Sequence, residues 1–252
     1  MLDIAITGAG SGLGRVVAER FARLGHRIFA CDVSDEGVSS LESSRVAALA
    51  AKVDVSNEEQ LHGWLRQIFK KTPTVNVLIN NVGVAGPRAA VDEIEIGDWH
   101  GTLAANLNAA FLATRLVLPP MKRARSGVII NISTASVLTN PEKRASYVVS
   151  KAGLEALTLA VAREAGPYNI RCNAVRPGMM DNDRLQRVLQ RISAESGQTV
   201  EELEAAQLRY IWMRKKVDML EVADLVLFLT SDSARSITGQ IIAVDGGMHW
   251  ED

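Results

Sequence analysis

Short apolar runs rich in β-branched residues alternate along the chain with longer stretches in which apolar positions recur every three to four residues. The runs predict strands near 2–7, 27–32, 46–53, 76–80, 127–133, 169–175 and 240–244. The stretches between them predict helices over roughly 12–24, 35–43, 57–71, 98–123, 146–166 and 221–231. Such alternation is the pattern of parallel βαβ units. Val77-Leu78-Ile79 and Val128-Ile129-Ile130-Asn131-Ile132 are apolar on both faces, as expected of a parallel sheet covered by helices on both sides. The expected fold is α/β: a doubly wound parallel sheet of about seven strands, in a single domain spanning 1–252 with no repeat and no Pro/Gly-rich linker.

One stretch breaks the rhythm. After Pro177-Gly178, residues 179–219 run for about 40 positions before the next clear βα element, with helical segments such as 200–207. An insertion here reads as a substrate lid, or alternatively as a helix packed against a neighbouring subunit.

Composition narrows the classes of partner. With 28 Lys+Arg against 29 Asp+Glu, the chain lacks the basic surplus that phosphate neutralisation requires, so nucleic acid is not an expected partner. No run of 18 consecutive apolar residues occurs, and the chain enters Leu2-Asp3-Ile4-Ala5-Ile6 without a charged leader, so no membrane span and a cytoplasmic location are expected. Cys31 and Cys172 sit inside apolar runs, which predicts buried free thiols and a reducing compartment. His26, His62, His100 and His249 show no ligand spacing, and no metal site is expected.

Chemistry enters with the first strand, which runs into Thr7-Gly8-Ala9-Gly10-Ser11-Gly12-Leu13-Gly14 just before a helix. In that context glycines let the backbone turn tightly and approach a pyrophosphate, which amides at the helix N-terminus then meet; Gly8, Ser11, Gly12, Leu13 and Gly14 are the expected cradle. The second strand ends at Asp32, placed to accept hydrogen bonds from the adenosine ribose and to repel a 2′-phosphate, favouring NAD over NADP. Arg15 is the alternative partner for a phosphate, but lies beyond the turn on the exposed start of the helix. Tyr147 and Lys151, four apart at the start of a helical pattern, project from one face about a turn apart. A phenol ionises only near pH 10, so its use as a base near neutrality calls for a fixed positive charge beside it.

Together these segments resemble the classical short-chain dehydrogenase/reductase family over essentially the whole chain. The motifs stand in family order: Thr7-Gly8-x-x-x-Gly12-x-Gly14, Asp54-Val55, Asn80-Asn81-Val82-Gly83, Asn106, Tyr147-x-x-x-Lys151, Pro177-Gly178, Gly239-Gln240 and Val244-Asp245-Gly246-Gly247. The resemblance implies a Rossmann-type fold and an NAD-dependent dehydrogenase that moves a hydride between nicotinamide and a secondary alcohol or ketone. In that scheme Tyr147 is the acid/base, Lys151 holds the nicotinamide ribose and supports the ionised tyrosine, and Asn106 places a water in the proton relay. Asp54 and Val55 would meet the adenine, Asn80 and Asn81 would bracket the adenosine ribose and brace the central strands, and Gly83 belongs to that cofactor-binding motif. Pro177, Gly178 and Met180 would lie along the nicotinamide. A homo-oligomer, tetramer or dimer, is implied through the helices at 98–123 and 146–166 and the last strand.

The chain departs from the family at three points. Thr134 stands where the family has a serine, with Ser133 just before it; Val82 replaces the usual alanine; Asn182 occupies the place of a threonine five residues after Pro177. The rival reading is a catalytically silent NAD-binding scaffold or regulator of the same fold. Retention of Asn106, Tyr147 and Lys151 together argues against it, because a binding module needs no proton relay. Arg88, Lys143, Arg144 and Arg184 near the expected pocket leave anionic substrates, polyols and hydrophobic alcohols all open. Trp250 is expected to pack on its own sheet or reach a neighbouring subunit.

Overall fold

Alternate side chains of each strand enter opposite hydrophobic layers, and this places helices on both faces of the sheet. The computed structural model describes residues 1–249, apart from the side chains at 183 and 184; Trp250 lies outside the described residues. Seven strands, β1 (Asp3–Thr7), β2 (Arg27–Asp32), β3 (Leu49–Lys52), β4 (Val77–Asn80), β5 (Gly127–Ile132), β6 (Ile170–Pro177) and β7 (Ile241–Val244), form one sheet in the order β3-β2-β1-β4-β5-β6-β7. Every pairing is parallel. Ile4, Ile6, Ile28 and Ile130 face one layer, while Ala5, Phe29, Leu78 and Ile129 face the other.

The helices are α1 (Gly12–Arg23), α2 (Asp35–Ser43), α3 (Glu58–Phe69), α4 (Ile96–Leu103), α5 (Ala109–Ala124), the single turn α6 (Ser136–Thr139), α7 (Ala145–Ala165), α8 (Asp183–Ser196), α9 (Val200–Leu208) and α10 (Met219–Thr230). In α1 the stripe Leu13, Val17, Ala18, Phe21 packs against α10 and the first layer. Helix α3 buries Leu61, Trp64, Leu65 and Ile68 in the second layer and is capped by Asn57, whose side chain accepts the Gln60 N–H. Each large side chain fully withdrawn from water contributes about 1.5–3 kcal/mol before ordering costs, and Phe21, Phe29 and Trp64 are among the largest. Cys31 and Cys172 are buried free thiols; burial pushes Cys172 up to about 12 and Cys31 higher still.

Three expectations change. The stretch 98–123 is not one helix: a π turn, Ala104–Asn108, separates α4 from α5, with the Ala109 N–H bonded to Ala104 O. One extra residue in the helical ladder leaves the apolar periodicity on either side intact, so the pattern reads as continuous. The strand expected over 46–53 narrows to Leu49–Lys52, and β6 extends to Pro177, where a missing N–H costs nothing at a strand end. By length and composition Ile96–Ala124 and Ala145–Tyr168 each pass as apolar enough to cross a membrane; here α5 and α7 lie against β4, β5 and β6.

Candidate active site

Strand β1 has β2 on one side and β4 on the other, and the chain reverses its direction of sheet growth there. In such sheets the crevice outside the carboxyl ends of the strands is where ligands bind. The structure has a cleft of about 1330 Å³ at this place. Of the expected residues, Gly8, Ser11, Gly12, Leu13, Gly14, Asp32, Asp54, Val55, Asn81, Gly83, Thr134, Tyr147, Lys151, Pro177, Gly178 and Met180 all line it.

The first half is a cradle of backbone. A Cβ on Gly14 would fall 2.1 Å from Gly8 O, so only glycine lets α1 begin against the turn. Gly12, at φ +53°, has open space where a side chain would stand, and it faces the cleft. The Asn81 carboxamide donates to Gly8 O (2.8 Å) and Thr7 O (3.1 Å), fixing the turn from the neighbouring strand. Asp32 accepts from the Gly10 N–H (2.7 Å) and the Ser34 N–H (3.0 Å). Arg15 bonds Glu19 (2.7 Å) and Ser44 (2.8 Å) and does not line the cleft. A preformed glycine turn, a helix N-terminus and a carboxylate at the end of β2 fit a dinucleotide whose ribose hydroxyls face Asp32.

The second half gathers the polar side chains of α7 and the ends of β5 and β6. Tyr147 and Lys151 lie one turn apart on α7, and both are buried in the cleft wall. The Lys151 ammonium donates to Ile132 O (2.7 Å) and to Val82 O (3.4 Å), which pins it between the ends of β4 and β5. Strand β5 ends at Ile132, and the two hydroxyls that follow part company. Ser133 is buried and donates to Glu155 Oε1 (2.6 Å), whereas Thr134 is half-buried and shares a 3.3 Å hydrogen bond with Ser136, another cleft residue.

Behind the cleft, Arg176 of β6 grips Glu155 of α7 through two bonds, Nε to Oε1 at 2.6 Å and Nη2 to Oε2 at 2.5 Å. The hydrogen bonds it donates to the Glu155 carboxylate hold the guanidinium pKa above its ordinary value. This fork joins α7, the end of β5 through Ser133, and the end of β6. Removing one partner leaves the other charge buried and unpaired. Arg176→Met is therefore expected to destabilise the protein by about 3 kcal/mol, read as a lower urea midpoint at unchanged slope; a midpoint within error of wild type contradicts the clamp.

Two expected residues stand outside the cleft. Asn80 is buried and donates to Asn131 (2.8 Å) and Thr114 (3.4 Å), so it takes the bracing part of its expected role, holding β4 against β5 and α5, while Asn81 alone of the pair lines the cleft. The cause is strand geometry, since consecutive residues face opposite sides. Asn106 sits in the π turn with its carboxamide committed: Oδ1 accepts the Val84 N–H (2.7 Å), and Nδ2 donates to Val84 O and Ser150 Oγ (both 3.0 Å). Asn182 caps α8 by accepting the Leu185 N–H (2.9 Å).

The sequence reading passed over the Glu155–Arg176 fork, although Glu155 follows Lys151 by one turn on the same helical face. Ser136 lines the cleft as well, as do Arg187 and Val188 from the stretch expected to form a lid. Residues 179–219 form α8 and α9 around a small core of Met179, Leu189, Leu203 and Ile211, and α8 closes one wall of the cleft.

Comparison with known proteins agrees with this geometry. The family described as enoyl-(acyl carrier protein) reductase matches residues 8–249. The chain belongs to the classical short-chain dehydrogenase/reductase family. A 3-oxoacyl-(acyl-carrier-protein) reductase of Thermotoga maritima is 31% identical over 96% of each chain. A probable galactose dehydrogenase of Rhizobium meliloti is 33% identical over 97% of this chain and 94% of its own. The solved structure of an NAD+-bound xylitol dehydrogenase superposes with a TM-score of 0.89 at 28% identity, covering 97% of both chains. Short-chain dehydrogenases are oxidoreductases that use nicotinamide cofactors, and the cleft has the cradle for one.

Proposed function

We propose that this chain is an NAD-dependent dehydrogenase of a secondary alcohol, acting in reverse as a ketone reductase, with Tyr147 as its acid/base. The observation that carries the reading is the placement of Tyr147 beside a buried, carbonyl-pinned Lys151, both in the wall of a cleft that begins at the glycine turn. A silent scaffold has no use for a lysine withdrawn from water at that cost.

In the oxidative direction the phenolic oxygen of Tyr147 takes the proton of the substrate hydroxyl, and Thr134 donates a hydrogen bond to the same oxygen as it becomes a carbonyl. Pro177, Gly178 and Met180 would lie along the nicotinamide of a bound NAD, which would supply the hydride acceptor. The Lys151 ammonium stabilises the ionised tyrosine and holds the nicotinamide ribose. Since the Asn106 carboxamide is spent on Val84 and Ser150, Asn106 serves the proton relay through the main chain of the π turn, placing a water there. Asp54 and Val55 take the adenine side of the cleft, and α8 and α9 act as the lid.

Asp32 supports NAD over NADP, because a 2′-phosphate against that carboxylate meets like-charge repulsion and Arg15 is engaged elsewhere. Steady-state rates with each cofactor test this. NAD is expected to be preferred by at least tenfold in kcat/KM, with the preference lost in Asp32→Ala; equal or better turnover with NADP overturns the assignment. The reading includes a cytoplasmic homo-oligomer, a tetramer or dimer: Phe111 of α5 and Val149 and Leu159 of α7 are exposed apolar side chains on the helices expected to pair.

A further inference from the structure

The elements that deliver the reacting side chains to the cleft meet behind it at one carboxylate. Helix α7 brings Tyr147 and Lys151, the segment after β5 brings Thr134, and the end of β6 brings Pro177 and Gly178. Glu155, buried one turn after Lys151, accepts at Oε1 from Ser133 Oγ and Arg176 Nε, both at 2.6 Å, and at Oε2 from Arg176 Nη2 at 2.5 Å. Ser133 immediately precedes Thr134, and Arg176 immediately precedes Pro177. The main chain repeats the connection: Ser133 N–H donates to Val175 O (2.7 Å) and Ala135 N–H to Pro177 O (2.9 Å), with Thr134 between them. Gly178 is seated in turn on β7, its N–H donating to Val244 O (2.9 Å), and a Cβ there would fall 2.6 Å from Asp245 Cα. Neither Glu155 nor Arg176 lines the cleft. An ion pair withdrawn from water seldom stabilises a fold more than well-packed apolar residues do, so stability alone is a weak account of this one.

From this convergence, and resting on the dehydrogenase reading above, we infer that Glu155 and Arg176 are positioning residues for hydride transfer: they hold the Thr134 hydroxyl and the Pro177-Gly178 segment, along which the nicotinamide would lie, in register with Tyr147 and Lys151. Transfer needs the reacting atoms about 3–3.5 Å apart, and a misplacement of about 1 Å costs roughly 100-fold. A planar two-point fork fixes both the separation and the tilt of the end of β6 against α7. A lysine in place of Arg176 keeps the charge but grips at a single point and leaves the tilt free.

The test compares wild type with Arg176→Lys, Glu155→Gln and the paired replacement Glu155→Met/Arg176→Met, on a secondary alcohol found by screening for NADH formation. The enzyme–NAD complex is mixed with that alcohol and the first turnover is followed by NADH absorbance. Its amplitude counts the competent molecules, and its rate constant reports the geometry of transfer. The rate constant is expected to fall roughly 10–100-fold in Glu155→Gln and in the paired variant, and by less in Arg176→Lys. The paired variant leaves no lone buried charge, so its urea midpoint should return toward wild type while the slow rate persists. A second readout needs no turnover: the emission of bound NADH should change in all three variants with its affinity nearly unchanged, because the nicotinamide loses its fixed seat. A smaller amplitude at a wild-type rate constant, or a paired variant that recovers midpoint and rate together, shows a structural tie only and overturns the inference while leaving the dehydrogenase reading in place. Wild type that forms no NADH from any secondary alcohol defeats that reading instead, and the emission then decides: spectra of bound NADH identical to wild type in all three variants overturn the positioning role.

Discussion

Tyr147→Phe is expected to lose roughly 10²–10⁴ in kcat while binding NADH as tightly as wild type. The substitution deletes one oxygen and its transferable proton but keeps the ring, so the surface presented to the cofactor and the ring face under the Arg144 guanidinium are preserved. Lys151→Ala should behave differently, losing both turnover and NADH affinity. Its ammonium is fixed by Ile132 O, and on the proposed mechanism it serves both the cofactor and the tyrosine. Fluorescence titration of NADH beside steady-state turnover separates the two variants. A Tyr147→Phe protein with substantial activity contradicts the mechanism.

Thr134→Val should lower kcat by roughly 10²–10³, the scale of losing one donor to a developing oxyanion. Valine keeps the β-branched shape, so the loss reports the hydroxyl alone. Thr134→Ser should retain most of the activity. Ser133→Ala should be mild in turnover, because the Ser133 hydroxyl donates to Glu155, and Arg176 still holds that carboxylate when the serine is gone. Parallel turnover of the three variants decides the matter. Severe loss confined to Ser133→Ala would move the role to that serine.

Much of this was legible in the residues themselves, because the features concerned are local. The glycine turn, Asp32 at a strand end, and Tyr147 and Lys151 on one helical face are each set by spacing within a single element or across one turn. Thr134 is singled out over Ser133 on the same kind of local ground, its spacing from Tyr147; both line the cleft, and their hydrogen bonds diverge, Ser133 to Glu155 and Thr134 to Ser136. What spacing does not encode is what a side chain meets across the sheet. Asn80 and Asn81 look interchangeable as a dipeptide, yet one is consumed by Asn131 and the other by the glycine turn. Asn106 keeps its family position, but the π turn around it and the Val84 and Ser150 partners arise only from packing α4 and α5 against α7. Glu155 and Arg176 lie 21 residues apart and meet through the close packing of α7 on β6.

The central claim is direct hydride transfer in this cleft from a secondary carbinol to NAD, with Tyr147 taking the proton. It is tested by supplying a secondary alcohol that wild type oxidises, deuterated at the carbinol carbon, and weighing the reduced cofactor by mass spectrometry. Wild type should yield NADH carrying the substrate deuterium, with Tyr147→Phe yielding almost none in the same time. Reduced cofactor free of deuterium, or no reduction with any secondary alcohol from a protein that binds NADH normally, would contradict the account.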